Sequence, residues 1–203
     1  MSIALSVSVR GIGLLGPGLA DWSGGQPLLR EPSSWVFQPT VLTAPARLPP
    51  AERRRAGDVV KLSIAVADQA CTAAGADTQH LATVFTASSG DAANCNALCE
   101  ALATPQRAIS PTRFTNSVHN AVAGYWHIAT TSRAPSTSLC AHDGSFGAGL
   151  LEAMAQCLSA RRPVLLVAGD APYPEPLHSV RPLSAAFGVA LLLDVGPGDA
   201  PLP

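Results

Sequence analysis

Charge and aromatic rings are both scarce in this 203-residue chain: 13% of its residues are Asp, Glu, Lys or Arg, and 5% are Phe, Trp or Tyr. So little charge, with a mean hydropathy of +0.24, excludes a solvated disordered tail, which needs low hydropathy and high net charge. An excess of one sign is also missing, since 13 Lys and Arg stand against 14 Asp and Glu for a net charge of −1. That excludes a basic nucleic-acid footprint. Trp22, Trp35 and Trp126 are too far apart, with no basic residues interleaved, to form a base-stacking platform. No uninterrupted apolar run approaches the roughly 18 residues of a membrane span, and the longest, near Val164–Ala168 and Val189–Leu193, are strand-length. Met1–Val9 has no basic region ahead of its apolar residues, so it lacks a signal-peptide pattern. The five cysteines are an odd number and make no disulfide framework. They are expected to be reduced, mostly buried thiols of a cytoplasmic protein.

What is present is an alternation of strand and helix patterns. Ile3, Leu5, Val7 and Val9 mark a strand by their period of two, and a glycine-rich loop over Gly11–Gly18 is expected to follow. Prolines and glycines from Asp21 to Pro50 predict irregular surface chain. A helix is expected from Asp58, as N-cap, to Gly75, with Val59, Leu62, Val66 and Ala70 along its apolar stripe. Leu81–Ala87 reads as a buried strand, and the stretch after Asp91 as a helix to about Ala103. Asn116–Thr130 reads as a helix carrying His119 and His127 on roughly one face. A short strand over Ser136–Cys140, a helix over Gly144–Ala160, a strand over Val164–Ala168 and a last strand over Phe187–Asp194 complete the series. The order implies one α/β domain over residues 1–203, with a mainly buried sheet.

Three motifs carry possible chemistry. Gly11, Gly13 and Gly16 spell G-x-G-x-x-G after a strand, but Pro17, Gly18, Gly24, Gly25 and Pro27 argue against the helix whose N-terminus would hold a pyrophosphate. A tight structural turn is the expectation there. Cys95 and Cys99, four apart, are half of a metal site at most; no second pair exists and the five histidines are scattered, so two buried cysteines packing a helix are expected, with no metal and no cofactor. Arg53-Arg54-Arg55 is expected to be a solvated face. The third motif is Leu139-Cys140-Ala141-His142-Asp143-Gly144-Ser145, where a strand turns sharply into a helix. Orphan amides at such an elbow favour negative charge, so a nucleophile is activated there. Asp143 occupies the turn, as an N-cap on the simplest reading. Ser145 misses the hydrolase elbow pattern by one residue, because Asp143 stands where that pattern needs glycine. Cys140 or Ser145 with His142 leaves a small acyltransferase or thioesterase open.

Taken in order, Val7–Gly18, Ser88–Gly90, Ile109-Ser110-Pro111, Asn120-Ala121-Val122-Ala123-Gly124, Ala134-Pro135-Ser136, the elbow and Val167-Ala168-Gly169 resemble the N-terminal half of the β-ketoacyl synthases over almost the whole chain. The resemblance implies the N-terminal half of a thiolase-like fold, a layered mixed sheet with helices on both faces. Such synthases elongate acyl chains held on acyl carrier protein, using an elbow cysteine and two histidines from the second half. Counted without gaps, the nucleophile position falls on Asp143, and Cys140 lies three residues earlier. A carboxylate there forms no thioester and repels an anionic malonyl group. The chain stops at Pro203, about where the first half of such a synthase stops, so neither histidine is expected within it.

The resemblance is nearest to the chain-length-factor-like subunits of aryl polyene and other type II polyketide systems. It implies a non-catalytic partner of an active β-ketoacyl synthase, meeting acyl carrier protein through that complex. Ser136–Cys140, with Ser138, would pair across the dimer axis. Thr112–His119 would border the partner's acyl pocket, with Asn116 and His119 at the interface and Phe114 as floor, gate or plain interface packing. A half-fold of this kind leaves an apolar face that needs a cover. A homodimer with an unrelated ligand in the tunnel is the third reading.

Overall fold

A computed structural model describes residues 5–195. Its centre is a five-stranded mixed sheet in the order β1-β5-β4-β2-β3. The strands are β1 (Ser8–Leu15), β2 (Ala82–Thr86), β3 (Ser136–Leu139), β4 (Val164–Asp170) and β5 (Phe187–Asp194). β2 runs parallel to β3 and to β4, while β5 is antiparallel to β4 and β1. Strand β2 is buried at every position, Thr83 and Thr86 included, as expected of a strand covered on both faces.

Helices cover both faces. On one lies α3 (Asp58–Ala74), whose Val59, Leu62, Val66 and Ala70 are all buried, joined by α6 (Ala121–Thr130) with the fully enclosed Trp126. Gly75 ends α3 in the left-handed region at φ 60°, as expected of a C-cap glycine. The N-cap is Gly57, however, and Asp58 is the first helical residue, paired with Lys61 at 2.9 Å. On the other face α7 (Ser145–Ala160) packs Ala153 and Cys157 against Val84, Leu166 and Leu193.

Four regions differ from the sequence expectation. The glycine-rich segment is strand, not loop: β1 starts at Ser8 and runs through Gly11 and Gly13 to Leu15, and the turn comes only at Gly16–Leu19. Ile3 lies outside the described residues. The glycines are there because β1 lies directly on the backbone of α3. A Cβ on Gly11 would stand 2.2 Å from the Ala70 carbonyl oxygen, and one on Gly13 would stand 1.9 Å from that of Val66. Asp21–Pro50 contains a helix after all, α1 (Trp22–Arg30), despite Pro27; the Asp21 carboxylate caps it by accepting from Gly24 N at 2.7 Å. A short α2 (Pro50–Arg55) follows, and Arg53 is tied to the carbonyls of Ala46 and Leu48 while Arg55 pairs with Glu52.

The third difference is that Asn116–Thr130 is two elements. A short α5 (Pro111–Asn116), capped by Ser110, stops at Ser117, whose hydroxyl donates to the Phe114 carbonyl. His119 therefore sits in the turn before α6, and His127 alone is helical. The fourth is the thiols: Cys71 and Cys157 are buried, whereas Cys140 and both Cys95 and Cys99, on α4 (Ala92–Ala103), are exposed. Among the described residues no helix is long and apolar enough to cross a membrane.

Candidate functional site

The parallel strands β2, β3 and β4 end on the same side of the sheet, where ligands commonly bind in α/β folds. The elbow leaves β3 at Leu139 and passes through a single 3-10 turn, His142–Gly144, before α7 begins at Ser145. His142 holds a left-handed φ of 52° at this corner, a strained conformation for a residue with a Cβ. Ser145 is buried, and its hydroxyl is consumed locally: it accepts from Ala141 N at 2.9 Å and donates to the His142 carbonyl at 2.7 Å. It latches the corner shut and is not paired with an imidazole.

Asp143 does not cap α7. The N-cap is Gly144, with no side-chain bond, and the Asp143 carboxylate turns outward to accept from Arg181 Nη2 at 2.6 Å. That hydrogen bond and the guanidinium charge hold its pKa below the ordinary carboxylate value. The His142 ring bonds the same guanidinium and lies 3.4 Å from Asp143 Oδ2. Arg181 follows the short helix α8 (Leu177–Val180), and Asp143 first, then Tyr173, favour its charged form. Buried Tyr173 in turn bonds Ser88 at 2.6 Å and Ser89 at 2.7 Å, and Asp170 accepts from both the amide and the hydroxyl of Ser88. Polar groups thus run from the ends of β2 and β4 towards the corner at Asp143. Nothing in the sequence pattern marks Arg181, Tyr173 or Asp170, which stand on or beside a proline-rich loop.

Cys140 is separate from this chain. Its neighbour is His119, not His142, with Sγ 3.8 Å from Nδ1. Burial pushes the thiol pKa up, and the amides of Ala87 and Gly90 oppose this only in part. A protonated thiol is a poor nucleophile. The pocket beside it, between Val59, Phe85, Val122 and Leu139, offers about 30 Å³, room for about one water. Ser138 lines it too.

Of the residues expected at an interface, Phe114 is 66% exposed on α5, next to exposed Val118. Asn116 instead braces its surroundings, donating to the Arg55 carbonyl at 3.2 Å and accepting from the Tyr125 hydroxyl at 3.1 Å. Among the described residues no cluster of three or more His, Cys, Asp or Glu could hold a metal.

A strand-to-helix elbow on a mixed sheet covered by helices on both faces, with a carboxylate at the turn, defines the N-terminal half of a thiolase-like fold. The chain belongs to the family of β-ketoacyl synthase N-terminal domains, whose sequence profile matches residues 29–201. Among solved structures it is similar, at TM-score 0.81 and 26% identity, to a chain in the structure of the ketosynthase ApeO in complex with its chain length factor ApeC from Xenorhabdus doucetiae, with 96% of this chain and 81% of that one covered. The ishigamide ketosynthase/chain length factor matches at TM-score 0.76 and 14% identity over 97% of this chain and 64% of that one. The complex AntDE:AntF, a type II polyketide synthase acyl carrier protein with its ketosynthase, matches at 0.74 and 13% over 93% and 63%. The chain therefore spans under two thirds of the last two. No curated protein matches it in sequence.

Proposed function

We propose that this chain is a chain-length-factor-like subunit, one domain over residues 1–203, that pairs in the cytoplasm with an active β-ketoacyl synthase and performs no condensation itself. The observation that carries this is the ion pair of Asp143 with Arg181 at the nucleophile corner. A carboxylate held ionised there can neither form a thioester nor welcome malonyl, and Arg181 occupies the approach to the turn. No cofactor is needed for such a role.

Three features support pairing. Among the described residues β3 is an edge strand with one side unpaired, and open edges invite another chain. Phe146 and Leu151 are 44% and 58% exposed on α7, apolar side chains of the kind that obligate interfaces bury. Phe114 stands exposed on α5, and its ring would shape the acyl tunnel of the partner in aryl polyene, polyketide or fatty-acid assembly.

The test is co-expression with the synthase encoded nearest this gene, followed by size-exclusion chromatography with light scattering. A 1:1 complex is expected. A well-behaved monomer that ignores the synthase, or a homodimer, would refute the pairing. Exposure to acyl carrier protein thioesters should leave the intact mass of this chain unchanged; acylation at Cys140 would refute the absence of chemistry and favour a thiol acyltransferase built on Cys140 and His119.

A further inference from the structure

The exposure of Cys95 and Cys99 removes the packing explanation for them. Cysteine is among the most buried residue types, and free thiols on a surface are generally avoided. Here two lie four residues apart on one face of α4, a helix with only Ala92 and Asn94 buried. The two thiols sense each other: Cys99 adds to the desolvation that raises the Cys95 pKa.

We propose that Cys95 and Cys99 form a binding site for a soft, two-coordinate cation of the copper(I) class. The helix spacing decides what can join the two sulfurs. Side chains at i and i+4 have Cβ atoms about 5–6 Å apart, whereas a disulfide needs about 3.5–4.5 Å. A direct S–S bond would therefore have to unwind the turn. A bridging ion has metal–sulfur bonds of about 2.3 Å, taking zinc–thiolate as the guide, so it spans up to about 4.6 Å between sulfurs and leaves the helix intact. The ligand count then chooses the ion. Structural zinc wants four ligands, and among the described residues no third or fourth Cys, His, Asp or Glu completes such a group. The acidic residues nearby are engaged: Asp91 caps α4 through Asn94 N, and Glu100 accepts from Asn96. Two thiolates with no further ligand suit a soft cation that is content with two. On binding, each thiol loses a proton, two S–Cu bonds form, and the copper stays monovalent, so no oxidant or reductant is consumed.

The site is tested with the full chain and copper(I) held under anaerobic, reducing conditions as its bicinchoninate complex, whose colour falls as the protein withdraws the metal. Wild type should withdraw about one equivalent per chain. Cys95→Ser and Cys99→Ser should each abolish that uptake, and Cys140→Ser should leave it intact. Circular dichroism should report the same fold in every variant, since the altered side chains are exposed. As a second readout, copper(I) loading should protect two thiols from alkylation, located by peptide mass to residues 95 and 99. Equal uptake by wild type and the Cys95→Ser/Cys99→Ser double variant would overturn the proposal, as would loss of uptake in Cys140→Ser alone.

Discussion

Replacing Gly13 by alanine should destabilise this protein far more than one methyl group suggests. The new Cβ would lie 1.9 Å from the Val66 carbonyl oxygen, 2.7 Å from its carbonyl carbon and 3.0 Å from its Cα, all of them backbone atoms of α3. Ordinary contact begins near 3.4 Å, so strand and helix must part by about 1.5 Å. Neither yields alone. β1 is bonded to β5 along its length, and α3 carries Leu62, Ile64, Val66 and Ala67 into the main core. Overpacking typically costs about 1–3 kcal/mol and occasionally more; with backbone on both sides the expected loss is about 3 kcal/mol or above. At about 2–4 °C per kcal/mol for a domain of this size, the melting temperature should fall by roughly 6–12 °C. Urea unfolding followed by circular dichroism measures the loss directly. The control is Gly124→Ala on α6, where an added Cβ meets nothing within 4 Å, and a gain of about 0.5–1 kcal/mol is expected from helix propensity. A Gly13→Ala midpoint within about 0.5 kcal/mol of wild type would refute the close-approach explanation of the glycine motif.

Other outcomes follow from the corner and the thiols. Arg181→Met should raise the Asp143 pKa towards the ordinary carboxylate value, read by NMR titration; because that pKa is depressed in the fold, the stabilising pair is present at neutral pH and is lost as pH falls through the depressed value. An unmoved Asp143 titration would mean the pair does not form in solution. The Cys71 thiol is pushed by burial from 9.0 to about 12, so its contribution to stability is complete below pH 9 and is lost as pH rises towards 12. Cys71→Ala should flatten the alkaline end of the stability profile, and an unchanged profile would contradict this. Alkylation at neutral pH should modify the exposed Cys95, Cys99 and Cys140 before the buried Cys71 and Cys157, which should react only on unfolding. Phe114→Ala should leave stability within about 0.5 kcal/mol of wild type, since the ring is exposed, while lengthening the products of the synthase complex; unchanged chain lengths would remove Phe114 from the tunnel.

Local pattern was enough for the elements whose character is written in their own residues. The stripe of Val59, Leu62, Val66 and Ala70 identifies α3, the apolar and β-branched residues of β2 identify a buried strand, and the order of short motifs identifies the family. What the tertiary structure decided is every relation between distant residues. Glycine by propensity signals a turn, and only the backbone of α3 lying against β1 makes Gly11 and Gly13 strand residues. Asp143 looks like a helix cap until a guanidinium 38 positions away is carried to it by the return of the chain from β4. Cys140 meets His119, not the nearer His142, because the corner at positive φ turns His142 towards Arg181 while the turn before α6 brings His119 to the end of β3. A sequence records which residues prefer a cap, a turn or an interior; which partner each finally meets depends on the strand order of the sheet, and that is settled only when the whole chain is packed.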